Sequence, residues 1–465
     1  MKVLSSIGNV IVKKPSLVVF IFFVVFSFDR YNRWVNFNKD NFPLVHDVDQ
    51  FYSYLPAAFI HHDLTFKFPN NYWTVTAENG NKIARTTYGM AAMYSPFYFV
   101  GHIYAGANGY DQNGYTLPYK WSLHAGTFLY ALLGIWLCRK NLLRFFSELV
   151  TALTLFAIFL GTNLFYYTFG WGEMSHSYLF FVLSVAVYTF FKWQDSNKIK
   201  FFYLFCFSAG FATLIRPTDI VILLLPLLYN VTNFNDIKSR VNEFISLGKA
   251  FFLGGLIFIA PIFFQLLYWK MYSGNWYIFT YGAGEGFYFS DPQVSNFLFS
   301  YRKGWFIYTP IMMLLLIGIP LLIKQSKQIF VFVVLYFLVN VYLLSSWWDW
   351  GFGGSFGSRA IIQHYAVFAF GLAAFFNAAF NWFKSIRIIN YSIRFACLVL
   401  VLACVKLNYN QSWQYKYALI HPSGMTKEAY WFVFNKEKFS KEELETFKNI
   451  ISLPDYPAMI SGKRD

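Results

Sequence analysis

Asp47 and Asp49 stand two residues apart in His46-Asp47-Val48-Asp49-Gln50, at the head of an aromatic run that continues to Leu64. Carboxylates in such a pair take protons from reacting hydroxyls or hold hard cations. A free aspartate, with a pKa near ~3.9, is a weak base, so proton transfer here requires partial desolvation of the carboxyl group. Residues at i and i+2 do not share a helix face. In a loop or at a helix start, both can point into one cleft, one as base and the other as orienting group or proton relay. The alternative reading of the pair is a metal site.

A second set of residues carries charge of the opposite sign. Arg85, His176, Arg216, Arg302 with Lys303, and Arg359 lie in five separate segments: ARTTYG, GEMSHSY, LIRPTD, SYRKGWF and GSFGSRAI. Arginine forks bind phosphate oxygens in pairs. Each residue also has a plainer reading. An arginine at a helix end snorkels to the interface, a loop aspartate is solvated, and a helical histidine can serve as an interhelical hydrogen-bond partner. These readings are separated by whether the residues gather on one side.

The elements that position them are membrane spans. Hydrophobic residues make up 57% of the 465 positions and charged residues 13%, with 58 Phe, 34 Tyr and 15 Trp. Soluble domains carry about 25% charged residues, so lipid is the main solvent of this chain. The formal charge of +15 is spread in short clusters between apolar runs, and no basic stripe or motif suggests nucleic acid. Cys138, Cys206, Cys397 and Cys404 fall within apolar runs and read as small core residues.

An uncleaved anchor is expected at about 16–28, followed by spans near 121–138, 149–169, 175–191, 201–215, 218–232, 250–269, 305–323, 328–346, 360–381 and 389–407. That makes about eleven transmembrane helices. Alternate connections then hold basic residues, among them Lys13 and Lys14, Arg139 and Arg144, Lys198 and Lys200, Lys238 and Arg240, Lys324 and Lys327, and Lys384 and Arg387. The positive-inside rule places these in the cytoplasm with the N-terminus. Residues 29–120, carrying the aspartates, and the tail 408–465 then lie outside. The apolar stretch 89–107, broken by Pro96 and Gly101, is expected to be an interfacial or re-entrant helix. Ser440 and Glu443 form a capping-box signature for a short tail helix. The five cationic segments fall on the aspartate side.

With these motifs in place, the chain resembles the GT-C-type polytopic glycosyltransferases, the class of protein O-mannosyltransferases and lipid A aminoarabinose transferases. HDVDQFYSYLPAAFI stands where that class has its first-loop acidic motif, and ARTTYGMAAMYSPFYF where it has a juxtamembrane helix. GFATLIRPTDIVIL, RKGWFIYTPI and WWDWGFGGSFGSRAI also resemble segments of bacterial members. The resemblance covers roughly residues 10–407. It implies an all-α GT-C-like bundle at the bacterial inner membrane and inverting transfer of a hexose or pentose. The donor is a polyprenyl-phosphate sugar and the acceptor a hydroxyl of a glycan, lipid or protein. It implies Asp47 or Asp49 as general base, with Asp47 favoured, and no cofactor, although a divalent metal is compatible. Arg85, Tyr88, His176, Arg216, Arg302, Lys303 and Arg359 become substrate-binding candidates. Two departures stand out: the acidic pair is split by Val48, and Arg85-Thr86-Thr87-Tyr88 replaces a Lys-Pro-Pro type segment. WWDWG at 347–351 resembles a signature of oligosaccharyltransferases, which makes a lipid-pyrophosphate enzyme the second reading. A non-catalytic transporter or flippase is the third, and would place charge at the bilayer midplane.

Overall fold

The computed structural model describes residues 13–37, 44, 46–70, 72–382 and 384–463. Lys2 and the stretch from Ile7 to Val12 lie outside the described residues.

The architecture is helical. In chain order it runs α1 (Pro15–Phe37), two short helices α2 (Asp47–Tyr52) and α3 (Tyr54–Phe59), and a small antiparallel hairpin of β1 (Thr74–Thr76) and β2 (Lys82–Ala84). Then follow α4 (Gly89–Ala107), α5 (Leu117–Leu142), α6 (Glu148–Gly161), α7 (Ser175–Ser196) and α8 (Ile199–Ile215). After a 3-10 turn at Pro217–Leu223 come α9 (Leu224–Leu228), α10 (Phe234–Ser246) and α11 (Lys249–Ser273). The last third holds α12 (Leu314–Gln325), α13 (Lys327–Ser346), α14 (Tyr365–Trp382), α15 (Arg387–Lys416) and the tail helices α16 (Lys427–Val433) and α17 (Lys441–Ile450).

Among the described residues, six helices are long and apolar enough to cross a membrane, and four shorter apolar segments accompany them. This is a multi-pass helical membrane protein. The outer surface of α11 shows what faces lipid: Phe252, Leu256, Ile259, Phe263, Phe264 and Met271 are all exposed. By contrast, α14 is almost wholly enclosed. It packs so closely on α12 that a Cβ at Gly318 would lie 1.9 Å from the Gly371 carbonyl oxygen. Small residues allow such approach where lipid supplies little hydrophobic drive between helices.

Several expected spans are broken. Residues 149–169 divide into α6 and a single turn at Tyr166–Phe169, and 305–323 begins as the short helix Trp305–Tyr308 and a 3-10 turn before α12. A third 3-10 turn, Arg359–His364, precedes α14. Hydropathy registers length and apolarity and does not register the polar side chains that unwind these ends. The 89–107 stretch is one continuous helix, α4, which packs along the start of α5 with Gly101 directly against Tyr119 and Ser122.

The basic loops gather at one end, where Arg144 meets Asp195 and Tyr229, and Arg240 meets Gln194 and the Pro226 carbonyl. The aspartates and the second cationic set occupy the other. The Ser440–Glu443 capping box is present at α17. The four cysteines are free and buried.

Candidate active site

Asp47 is the first residue of α2, which opens directly after His46, a non-glycine residue at a left-handed φ of 54°. Its Oδ2 accepts from Arg359 Nη2 at 2.9 Å. Arg359 begins the 3-10 turn ahead of α14, so this ion pair joins the first long loop to the last third of the chain. The turn is fixed from several sides. Asn163 donates to the Ser358 carbonyl at 3.0 Å, and the Phe356 N–H donates to Tyr167 Oη at 3.0 Å. Gly357, at φ 58°, lies against Tyr308, where a Cβ would come within 2.9 Å of that side chain.

Arg216 completes the cationic centre. It caps α8 in an extended conformation before Pro217, and its guanidinium sits 5.8 Å from the Phe352 ring centroid. It lies within electrostatic reach of Arg359, Asp219 and Asp47. Among the described residues the Arg216 guanidinium forms no hydrogen bond or ion pair, its backbone bonding to Ala212 and Asp219, and the buried Nε of Arg359 lacks an acceptor. Two neighbouring guanidinium groups with spare donors can receive an anion such as phosphate, whose oxygens supply acceptors in pairs.

Behind the arginines lies a buried polar chain that sequence reading missed. His176 Nδ1 is 3.4 Å from Gln363 Oε1, and Gln363 Nε2 donates to Asp219 Oδ1 at 3.4 Å. His364 Nε2 faces the same Asp219 oxygen at 3.7 Å, while its Nδ1 is 2.8 Å from Tyr336 Oη. His176 is fully buried, within electrostatic reach of Arg216 and Arg359. Asp219 was legible in LIRPTD beside Arg216, three residues away. Gln363 and His364 had no signal beyond following Arg359.

Asp49 takes a different direction. Its neighbours are the phenols of Tyr52, Tyr72 and Tyr115, and its carboxylate forms no hydrogen bond or ion pair among the described residues. Burial pushes its carboxyl up to about 6. The two carboxylates thus have different neighbours, an arginine for Asp47 and phenols for Asp49.

The remaining candidates disperse. Lys303 is 2% exposed, and its Nζ donates to Ser355 Oγ at 3.0 Å and to the carbonyls of Ser355 and Pro422. Burial, with Arg359 nearby, holds its amine well below the usual lysine range. It therefore pins the 351–358 loop to the tail instead of presenting a free cation. Arg302 lies 5.8 Å from the Trp350 ring centroid. Arg85 pairs with Glu285 at 2.6 Å and lies 5.1 Å from the Tyr281 ring centroid. Tyr88 donates to the Pro261 carbonyl at 2.8 Å and so packs against α11. Asp349 of the WWDWG segment accepts from the N–H groups of Gly351 at 3.1 Å and Gly353 at 2.6 Å, which makes it a turn former. Among the described residues, no group of three or more His, Cys, Asp or Glu gathers as a metal-ligand set.

A polytopic helical membrane protein with a paired-arginine site beside a carboxylate is the class that the fold and site define. No protein-family profile matches the sequence, and a search of curated proteins finds no match. Among solved structures, the chain is similar to ArnT from Cupriavidus metallidurans bound to undecaprenyl phosphate. The identity is 14% and the TM-score 0.47, covering 84% of this chain and 71% of that one. It is also similar to the archaeal oligosaccharyltransferase AglB from Archaeoglobus fulgidus in complex with an inhibitory peptide and a dolichol-phosphate. There the identity is 11% and the TM-score 0.48, covering 96% of this chain, which spans 60% of the length of AglB.

Proposed function

We propose that the protein is a glycosyltransferase of the GT-C type, moving a sugar from a polyprenyl-phosphate donor to an acceptor hydroxyl. The observation that carries this reading is the Asp47–Arg359 ion pair at 2.9 Å, with Arg216 beside it and short of acceptors. The donor phosphate sits on Arg216 and Arg359 and competes with Asp47 for the Arg359 fork. Once Arg359 turns to phosphate, the Asp47 carboxylate is released toward the acceptor.

The step then balances. The acceptor O–H gives its proton to Asp47, its oxygen forms a bond to the anomeric carbon, and the bond from that carbon to the phosphate oxygen breaks. The lipid phosphate leaves with the electron pair, held by the two arginines, and the anomeric centre inverts. Asp49, half-buried among phenols, is the relay that takes this proton on from Asp47. The basic loops favour an extracytoplasmic site and a cytoplasmic N-terminus.

The test is incubation of the purified protein with a panel of polyprenyl-phosphate sugars, followed by mass spectrometry. Release of free polyprenyl phosphate with hydrolysis or transfer, lost in Asp47→Asn, is the expected result. Tight binding of a lipid-linked sugar with no turnover under any acceptor would instead favour the transporter reading.

A further inference from the structure

At the end of the bundle opposite Asp47, the turn between α12 and α13 faces the segment between α9 and α10. The two border an open cavity of about 510 Å3 whose lining includes Lys324, Ser326, Lys327, Asn230, Thr232 and Asp236. The walls are tied together, because the Asn230 N–H donates to the Gln328 carbonyl at 2.8 Å. Asp236 is committed elsewhere. Its Oδ2 accepts from Thr232 N at 2.6 Å, Thr232 Oγ1 at 2.8 Å and Asn233 N at 3.0 Å, in the box that starts α10.

The donors on the other wall are not committed. Ser326 is 4% exposed, and its buried Oγ has no hydrogen-bond partner among the described residues. It occupies the N-cap position of α13, a helix of 20 residues, but makes no side-chain cap bond. The first-turn N–H groups of Lys327 and Gln328 also lack acceptors among the described residues, as do the exposed ammonium groups of Lys324 and Lys327. A buried hydroxyl without a partner is costly. A long helix's N-terminus, two cations and that hydroxyl are all satisfied by one small anion with several acceptor oxygens.

We propose that this cavity binds a phosphate group. Adjacent α10 favours a phospholipid headgroup as its source. Phe234, Ile237, Val241 and Ile245 form an exposed apolar stripe at helical spacing, while Arg240 and Phe244 face the bundle. A short helix with that pattern lies in the interfacial plane of a membrane, which brings headgroups to the level of the cavity. A soluble phosphate compound has the same chemistry. The inference is independent of the transferase reading.

Native mass spectrometry of the full chain in detergent tests it, with phosphatidylglycerol, with diacylglycerol as the phosphate-free control, and with inorganic phosphate. The wild type should retain phosphatidylglycerol and not diacylglycerol. Lys324→Gln with Lys327→Gln should weaken retention at least about tenfold, since each lost bond is charge-assisted. Ser326→Ala, which leaves the charge unchanged, should weaken it less, and it preserves the test if the double variant unfolds. Lys198→Gln with Lys200→Gln removes equal charge at the same end and should leave retention unchanged. Binding of inorganic phosphate without phosphatidylglycerol, lost in the same variants, would support the site and assign it to a soluble ligand. Equal loss in the control pair, equal retention of diacylglycerol, or binding of neither phosphate probe would overturn the proposal.

Discussion

Arg359 Nη2 holds Asp47 Oδ2 at 2.9 Å, and the same guanidinium keeps a buried Nε without an acceptor. One arginine therefore both restrains the candidate base and offers a free donor to an incoming anion.

Arg359→Ala and Arg216→Ala should each weaken donor binding ten- to a hundredfold, because a charge-assisted hydrogen bond is worth roughly 1.5–3 kcal/mol. Arg359→Lys should recover little of this, since a lysine lacks the planar fork. Donor affinity measured by lipid titration, beside a check of folding, reads these effects. Unchanged affinity in both alanine variants would return the arginines to interface anchoring.

Asp47→Asn should reduce transfer by roughly 10²–10⁴-fold while donor binding persists or tightens, because asparagine cannot accept the proton. Tightening is expected because phosphate and Asp47 compete for Arg359 and because the variant removes a negative charge beside the anion.

Asp49 gives a pH signature. Its carboxyl titrates at about 6 because burial disfavours the charge. If its ionised form takes up the proton, kcat should rise with pH through that value and level above it, and Asp49→Asn should abolish the inflection. The stability effect follows from the same shift. The folded pKa lies above the unfolded one of about 3.9, so ionisation costs stability as pH rises from about 4 to 6. Asp49→Asn should therefore be relatively more stable than wild type above pH 6 and show no advantage below pH 4, as read by thermal melting.

Lys303→Ala should lower the melting temperature markedly, because three buried acceptors from Ser355 and Pro422 lose their donor. Lys303→Met fills the space without charge but should recover only the packing part of the loss, because the same acceptors stay without a donor. Donor affinity that falls in proportion to charge and not to stability would make Lys303 a phosphate ligand after all.

Gly318→Leu should destabilise the bundle by about 1–3 kcal/mol or more, the range for overpacking a filled core. The Gly371 carbonyl lies on the rigid backbone of α14 and cannot rotate away. Normal detergent stability of this variant would contradict the observed packing of α12 on α14.

The sequence alone determined what depends on local composition. Apolar length, basic loops and the Ser440 capping box are each written in consecutive residues, so the helices of this membrane protein are legible along the chain itself. Local spacing also showed that Arg216, Arg359 and the aspartates lie at the same end. Only the tertiary structure decided which of them meet. Asp47 reaches Arg359 because a loop pinned by Asn163, Tyr167 and Lys303 presents that arginine. Lys303 is consumed in the pinning, and Arg85 by Glu285. Asp49 lies among the tyrosines Tyr52, Tyr72 and Tyr115 while Asp47 meets the arginine. Pairings between distant segments follow from how whole helices pack, and no spacing along the chain encodes them.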